Sequence, residues 1–213
     1  MSRSDGTPPD PEISARTLGH YNANAERFWE GTRGHDVTQN YQALLGALGI
    51  AAPLRLLDFG CGPGRDLVAL RALGHELTGL DGSAEFVRMA REHSGCAVLE
   101  QSFFELDLGL ARFDGVFANA SLFHVPRALL PRVLRELHMS LVPGGVLFCS
   151  NPRSFDVDHE GFKGERYGSY LTTETWLAHI NAAGFAIEQH YFRPSDLPPN
   201  EQPWLAVVAR KPR

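Results

Sequence analysis

The sequence predicts an α/β fold: an open sheet of seven strands, parallel except for an antiparallel last strand, with helices on both faces. Three observations predict it. Short apolar runs alternate with segments of helical spacing; the first run ends in a turn with three glycines, "LLDFGCGPGRD"; and the last two runs are joined by "RPSDLPPNEQP", which holds no helical pattern. Strands alternating with helices of this length require right-handed crossovers and a covered, largely parallel sheet. A short non-helical link fits an antiparallel pair instead.

Residues 1–12, rich in Pro, Ser and Asp, read as a disordered tail. Residues 13–213 read as one domain whose first part, 13–50, is a helical cap made of "ISARTLGHYNANAERFWEGT" and "TQNYQALLGALG". "LRLLDF" is the first strand, and "GRDLVALRALG" a helix stopped by Gly74. "HELTGLD" is the second strand, and "SAEFVRMAREH" a helix with Ser83 as N-cap. "CAVLEQ" and "FDGVFANA" are strands three and four, "RALLPRVLRELHMSL" a helix, and "GVLFCSN" strand five. "TETWLAHINAAG" is the last helix, and "FAIEQHYF" and "WLAVVAR" are strands six and seven.

Length and composition narrow the function. At 213 residues the chain suits one sizeable core. Its 20 basic and 25 acidic residues give a net charge of −5 without long runs of either sign, so no footprint for nucleic acid or an anionic membrane is visible. No apolar stretch approaches membrane-spanning length and no leader pattern opens the chain. Three scattered cysteines read as reduced thiols, hence a cytoplasmic protein. No two of the nine histidines lie four apart and no Cys/His cluster exists, so no metal is expected.

The glycine turn points to a ligand. In an open α/β sheet, ligands sit beyond the carboxyl ends of the strands, and Gly60, Gly62 and Gly64 would let backbone approach one. A dinucleotide fingerprint needs G-x-G-x-x-G, yet residue 65 is Arg. Asp81 follows Gly60 by 21 residues at the end of strand two, where a carboxylate accepts from ribose hydroxyls. Asp58 beside the turn suits a cationic ligand better than a pyrophosphate. A nucleoside carrying positive charge satisfies both, and S-adenosylmethionine is such a ligand.

These residues resemble the Rossmann-like class I S-adenosylmethionine-dependent methyltransferases, whose motifs are an acidic residue before GxGxG and an acidic end to strand two. The resemblance implies cofactor contacts from Asp58, Gly60, Cys61, Gly62, Gly64 and Asp66, and from Asp81, Gly82 and Ser83. In "QSFFELDL", Ser102 stands where many members have Asp for the adenine amino group, leaving Phe103 and Phe104 to pack on the base. A narrower resemblance, carried by "FWEGTRGHDVTQN", "FANASLFHVP", "RYGSY" and "QPWLA", is to the C-terminal methyltransferase domain of the ovothiol-biosynthesis enzyme. It implies N-methylation of the 5-thiohistidine ring, or of 5-selenohistidine, to ovothiol or its selenium counterpart. A separate enzyme would then form the carbon–sulfur or carbon–selenium bond, since this chain has no room for that portion.

Methyl transfer is an in-line displacement in which positioning does most of the work. The candidates for the acceptor site lie where the strands end: Asn119, Phe123 and His124 after strand four, and Arg153, Arg166, Tyr167 and Tyr170 after strand five. Asn119, His124 and Tyr170 are the expected catalytic residues, Asn119 also touching the cofactor, and an Arg fork would take an amino-acid carboxylate. Tyr21 and Arg33 are expected to cover the cofactor, and Phe28 to meet the substrate. "NASL" lacks the (D/N)PP(Y/F) turn of base methyltransferases, which argues against nucleic acid. Two other readings stand at this point: a methyltransferase for another small heteroaromatic, phenol or thiol, and a non-catalytic regulator that binds S-adenosylmethionine.

Overall fold

In the computed structural model, which describes residues 11–49 and 53–213, the chain folds around a seven-stranded sheet. The strands are β1 (Arg55–Phe59), β2 (Glu76–Asp81), β3 (Ala97–Glu100), β4 (Phe113–Asn119), β5 (Leu141–Pro152), β8 (Ala186–Arg193) and β9 (Trp204–Arg210). Their order is β3-β2-β1-β4-β5-β9-β8. The first five pair in parallel. The last strand, β9, runs antiparallel to both of its neighbours, β5 and β8, so it enters between them rather than adding at the edge. Its central position explains the apolar run "LAVV", buried throughout.

Both faces of the sheet are covered. Leu57, Phe59, Val116, Ala118 and Leu147 pack with α6 (Leu130–Ser140) and α7 (Thr173–Ala182), where Trp176 and Ile180 are buried. Leu56, Phe117 and Phe148 face the opposite way, onto Leu44 and Leu48 of α3 (Thr38–Leu48) and Leu70 of α4 (Arg65–Ala72). Alternation along each strand sets these two sets apart. α5 (Ala84–Ser94) starts as expected at Ser83, whose hydroxyl accepts from the Phe86 N–H at 3.2 Å.

Two expectations are corrected, and one hairpin is added. The tail reading of residues 1–12 lies outside the described residues up to 10, but Pro11 and Glu12 open α1 (Pro11–Ala23). Proline suits the first helical position and an acid the first turn. The single helix expected over residues 13–32 breaks at Asn24 into α1 and α2 (Ala25–Thr32), because the Asn24 side chain turns back to donate to the His20 carbonyl at 2.8 Å. The Arg/Tyr segment after β5 is a β-hairpin of its own, β6 (His159–Lys163) and β7 (Arg166–Tyr170), paired antiparallel.

α1 lies on this hairpin. The Thr17 hydroxyl accepts from the Tyr167 N–H at 3.0 Å, Arg16 pairs with Glu165 at 3.1 Å, and the Arg16 guanidinium sits over the Phe162 ring. These contacts roof the carboxyl ends of β1 and β2.

Candidate active site

A cavity opens beneath that roof. Its floor is Gly60 and Gly62 of the turn after β1, with Asp81 and Gly82 after β2. Ser102, Phe103 and Phe104 form one side, and Ala120, Ser121 and His124 follow β4. Ile13, Ser14, Thr17, Leu18 and Tyr21 of α1, with Phe28 and Phe86, close the top.

The floor is shaped by absence of side chains. Gly60 has φ +77° and a Cβ there would meet Ser121 Cβ at 2.4 Å, so only glycine fits. Asp81 is held by its own loop: Oδ2 accepts from the Gly62 N–H and Oδ1 from the Ser83 N–H, both at 2.9 Å. Burial pushes its carboxyl up to about 6 against these bonds. Each oxygen keeps a lone pair for a ligand donor. Phe103 stacks on Phe59 with ring centroids 4.3 Å apart, and the Ser102 hydroxyl accepts from the Phe104 N–H. Ser121 Oγ is buried and partnerless on the cavity wall.

At the other end the polar groups are linked. The Tyr21 hydroxyl and His124 Nε2 lie 2.9 Å apart, and His124 Nδ1 is 2.6 Å from the Tyr167 carbonyl. Burial pulls His124 down to about 4, the Arg166 charge adding to the effect, so the ring is neutral near pH 7. Burial raises the Tyr21 hydroxyl, and the guanidinium of Arg166 opposes it. Arg166 therefore stands beside the phenol, and it enters none of the ion pairs formed by the described residues.

Ten of the expected site residues thus line one cavity: Tyr21, Phe28, Gly60, Gly62, Asp81, Gly82, Ser102, Phe103, Phe104 and His124. Others lie elsewhere, each for a reason. Asp58 faces away from the cavity walls toward Asp66; burial first, then that neighbouring charge, raises its carboxyl well above the usual range, and its Oδ2 has no partner. Asp66 is taken by Tyr41 at 2.5 Å and by the fork of Arg65 at 2.7 and 2.9 Å. Cys61 points into the small cluster with Leu67 and Val87, and Gly64, with φ +96°, starts α4 against Ala90. Ser83 serves as the α5 cap. Asn119 turns to the α3 face, where Asn40 donates to it at 3.0 Å.

The acceptor-site expectations need similar correction. Arg153 donates to the carbonyls of Gln202, at 2.9 Å, and Pro199, and lies over Phe155 and Phe192. Its fork is consumed by the loop before β9 and is not on the cavity wall. Phe123 and Tyr170 neighbour each other behind His124, with centroids 6.2 Å apart. Tyr167 contributes its backbone carbonyl rather than its ring. Arg33 is exposed at the end of α2. The sequence reading missed Ile13, Ser14, Thr17, Leu18, Phe86, Ala120 and Ser121. Ile13 and Leu18 show only apolar helical spacing, while Ser14, Thr17 and Ser121 are polar, Ser121 lying inside "NASLFH" beside residues already singled out.

Comparison with known proteins names the class that this floor defines. Residues 56–145 match the family described as "Methyltransferase domain". Residues of this chain are 37% identical over 109 positions to a trans-aconitate 2-methyltransferase of Azoarcus sp. (strain BH72), covering 47% of this chain and 40% of that protein. They are 35% identical over 145 positions to a malonyl-[acyl-carrier protein] O-methyltransferase of Pectobacterium atrosepticum, covering 67% and 56%. The chain thus spans roughly half the length of these relatives. The crystal structure of a Burkholderia thailandensis 1,6-didemethyltoxoflavin-N1-methyltransferase, with its namesake ligand and S-adenosylhomocysteine bound, superposes with TM-score 0.72 at 24% identity, covering 100% of this chain and 94% of that one.

Residues 56–145 thus match a methyltransferase domain, set in a Rossmann-like methyltransferase fold whose cofactor is S-adenosylmethionine. The residues present fit that cofactor: a cavity floor without side chains at Gly60 and Gly62, a carboxylate with lone pairs to spare at Asp81, aromatic rings at Phe103 and Phe104, and an orphaned hydroxyl at Ser121. Among the described residues no group of His, Cys, Asp and Glu could hold a metal ion, and no helix is long and apolar enough to cross a membrane.

Proposed function

We propose that this protein methylates a ring nitrogen of a small amino-acid acceptor, 5-thiohistidine or 5-selenohistidine, with S-adenosylmethionine as donor. The observation that carries the reading is the polar end of the cavity, where Tyr21 and a neutral His124 line the wall and the exposed guanidinium of Arg166, which is outside the lining and in none of the ion pairs of the described residues, reaches the Tyr21 hydroxyl. An amino-acid carboxylate would take the fork, which leaves the flat ring among Tyr21, Phe28 and His124. Asp81 would hold the cofactor's ribose, Ser102 with Phe103 and Phe104 its adenine, and Gly60 and Gly62 its approach; when bound, the cofactor supplies the methyl group. The protein's own share is to hold the ring and keep water out under α1. A separate enzyme must supply the carbon–chalcogen bond, and a reducing, cytoplasmic setting belongs to the same reading.

A second reading has its own support. The relatives named above are methyltransferases of trans-aconitate and of a malonyl thioester, and Arg166 would also hold a carboxylate that is itself the acceptor. Mass spectrometry of reactions with 5-thiohistidine, its selenium analogue, histidine, trans-aconitate and a malonyl thioester separates the two. The expected product is a base-stable N-methyl derivative of the chalcogen-bearing histidines, with the methyl placed by NMR on the ring nitrogen nearer the side chain. Histidine should react poorly, since a site shaped around the chalcogen leaves its partners unpaired. A base-labile ester, or methylation on the chalcogen, would overturn the N-methyl reading.

A further inference from the structure

We propose that Tyr21 touches the acceptor as a hydrogen-bond acceptor only, and that His124 acts through Tyr21, as a positioning residue. The inference rests on the reading above for the acceptor's place. It starts from proton counting along the chain Tyr21, His124, Tyr167. A backbone carbonyl only accepts, so the 2.6 Å contact to the Tyr167 oxygen puts the proton of His124 on Nδ1. Nε2 is then bare, and its 2.9 Å contact requires the Tyr21 hydroxyl to donate. A phenol has one proton. With that proton committed to His124 and one lone pair facing the Arg166 guanidinium, the Tyr21 oxygen can show the cavity only its remaining lone pair.

Selectivity follows from this. A ligand group against Tyr21 must be a donor: a ring N–H, an ammonium or a hydroxyl. A carboxylate there would face a lone pair with nothing to share, so it would have to lie on Arg166 instead. An imidazole gripped by one N–H presents its other nitrogen without a proton, which is the nitrogen able to attack. His124 makes a poor base for this site, because both its nitrogens are engaged and burial keeps it neutral. Its part is to hold the phenol's proton away from the acceptor.

Three variants and one spectrum test this. Tyr21→Phe should raise the KM for 5-thiohistidine, or its Kd in the S-adenosylhomocysteine complex, about 10- to 100-fold, while S-adenosylhomocysteine itself binds within twofold of wild type. His124→Ala frees the phenol's proton and should approach the Tyr21→Phe value. His124→Gln, whose amide can both donate to Tyr167 and accept from Tyr21, should recover most of the loss. Nitrogen-15 NMR of histidine-labelled protein, without acceptor or cofactor, should show His124 as the Nδ1–H tautomer, neutral down to about pH 5. An Nε2–H tautomer, or Tyr21→Phe with unchanged KM and kcat, overturns the proposal. So does a pH-rate inflection near 6 to 7 that His124→Gln abolishes, since His124 would then itself be the base. A correct tautomer in a wild-type protein that accepts only carboxylates would overturn the N-methyl reading and leave the Tyr21–His124 geometry standing.

Discussion

The floor and the roof of the cavity are built in different ways. The floor comes from two neighbouring strand ends, and its bonds are local: Asp81 is held by Gly62 and Ser83, and Gly60 and Cys61 donate to the Leu80 carbonyl at 2.8 and 3.0 Å. The roof joins segments about 150 residues apart, α1 to the β6–β7 hairpin through Thr17 with Tyr167 and Arg16 with Glu165. The floor is rigid backbone that any acceptor chemistry can share. The roof is side chains, and on the reading proposed above it is the part that selects the acceptor.

The sharpest way to break the floor is Gly60→Ala. The new methyl would stand 2.4 Å from Ser121 Cβ at a φ of +77° that alanine resists, so either the turn or the start of the segment after β4 must move. We expect S-adenosylhomocysteine binding to fall more than about 100-fold in calorimetry, with a Tm loss of several degrees. Gly19→Ala in α1 is the matched control, since a Cβ there meets nothing within 4 Å. Binding in Gly60→Ala at wild-type affinity would mean that the cofactor does not rest on this turn.

This difference also decides what could be read beforehand. The seven strands, their parallel order and the antiparallel end followed from periodicity and from a link too short and proline-rich for a helix. So did the glycine turn with Asp81, because those residues are near one another in the chain or at consecutive strand ends. The insertion of β9 between β5 and β8 was not legible, since pairing partners are chosen by the whole sheet. The hairpin strand "RYGSY" is only five residues long, too short for its period-2 pattern to mark a strand without its partner. Arg153 and Arg166 look alike in sequence; only the fold shows that one is consumed by the Gln202 and Pro199 carbonyls and the other faces Tyr21. Asp58 was drawn toward the cofactor by its place beside the turn, but the alternation of β1 sends it to the α3 side.

The two arginines give the roof its own test, with a smaller effect. Arg166→Gln should raise the acceptor KM about 10- to 100-fold and leave S-adenosylhomocysteine affinity within twofold, as removal of a charged partner from one substrate should. Arg153→Gln should leave the acceptor KM unchanged and show instead as lower thermal stability, because two carbonyls of the loop before β9 lose their donor. If both variants shift KM equally, the roof does not discriminate and the acceptor carboxylate is held elsewhere.

The smallest effect concerns the floor's carboxylate and follows from its titration. Asp81 in the cofactor-free protein titrates near 6, raised from 3.8 by burial. A raised acid binds a proton more readily folded than unfolded, so acidification between pH 6 and 4 favours the cofactor-free fold at this residue. If Asp81 holds the ribose as proposed, the ribose hydroxyls would donate to its ionised form, so cofactor binding would have the opposite preference and be lost as Asp81 takes up its proton. Affinity for S-adenosylhomocysteine should therefore be nearly flat from pH 8 to 7 and weaken about tenfold between pH 7 and 5, which is about 1.4 kcal/mol. His124 does not blur the window, because it titrates near 4. Asp81→Asn removes the ionisable group while keeping the shape. It should bind more weakly than wild type at pH 7 and show no change between pH 7 and 5, by calorimetry in buffers of matched ionic strength. A wild-type affinity that does not move over those two pH units, or an Asp81→Asn protein that keeps the full pH dependence, would take Asp81 off the ribose.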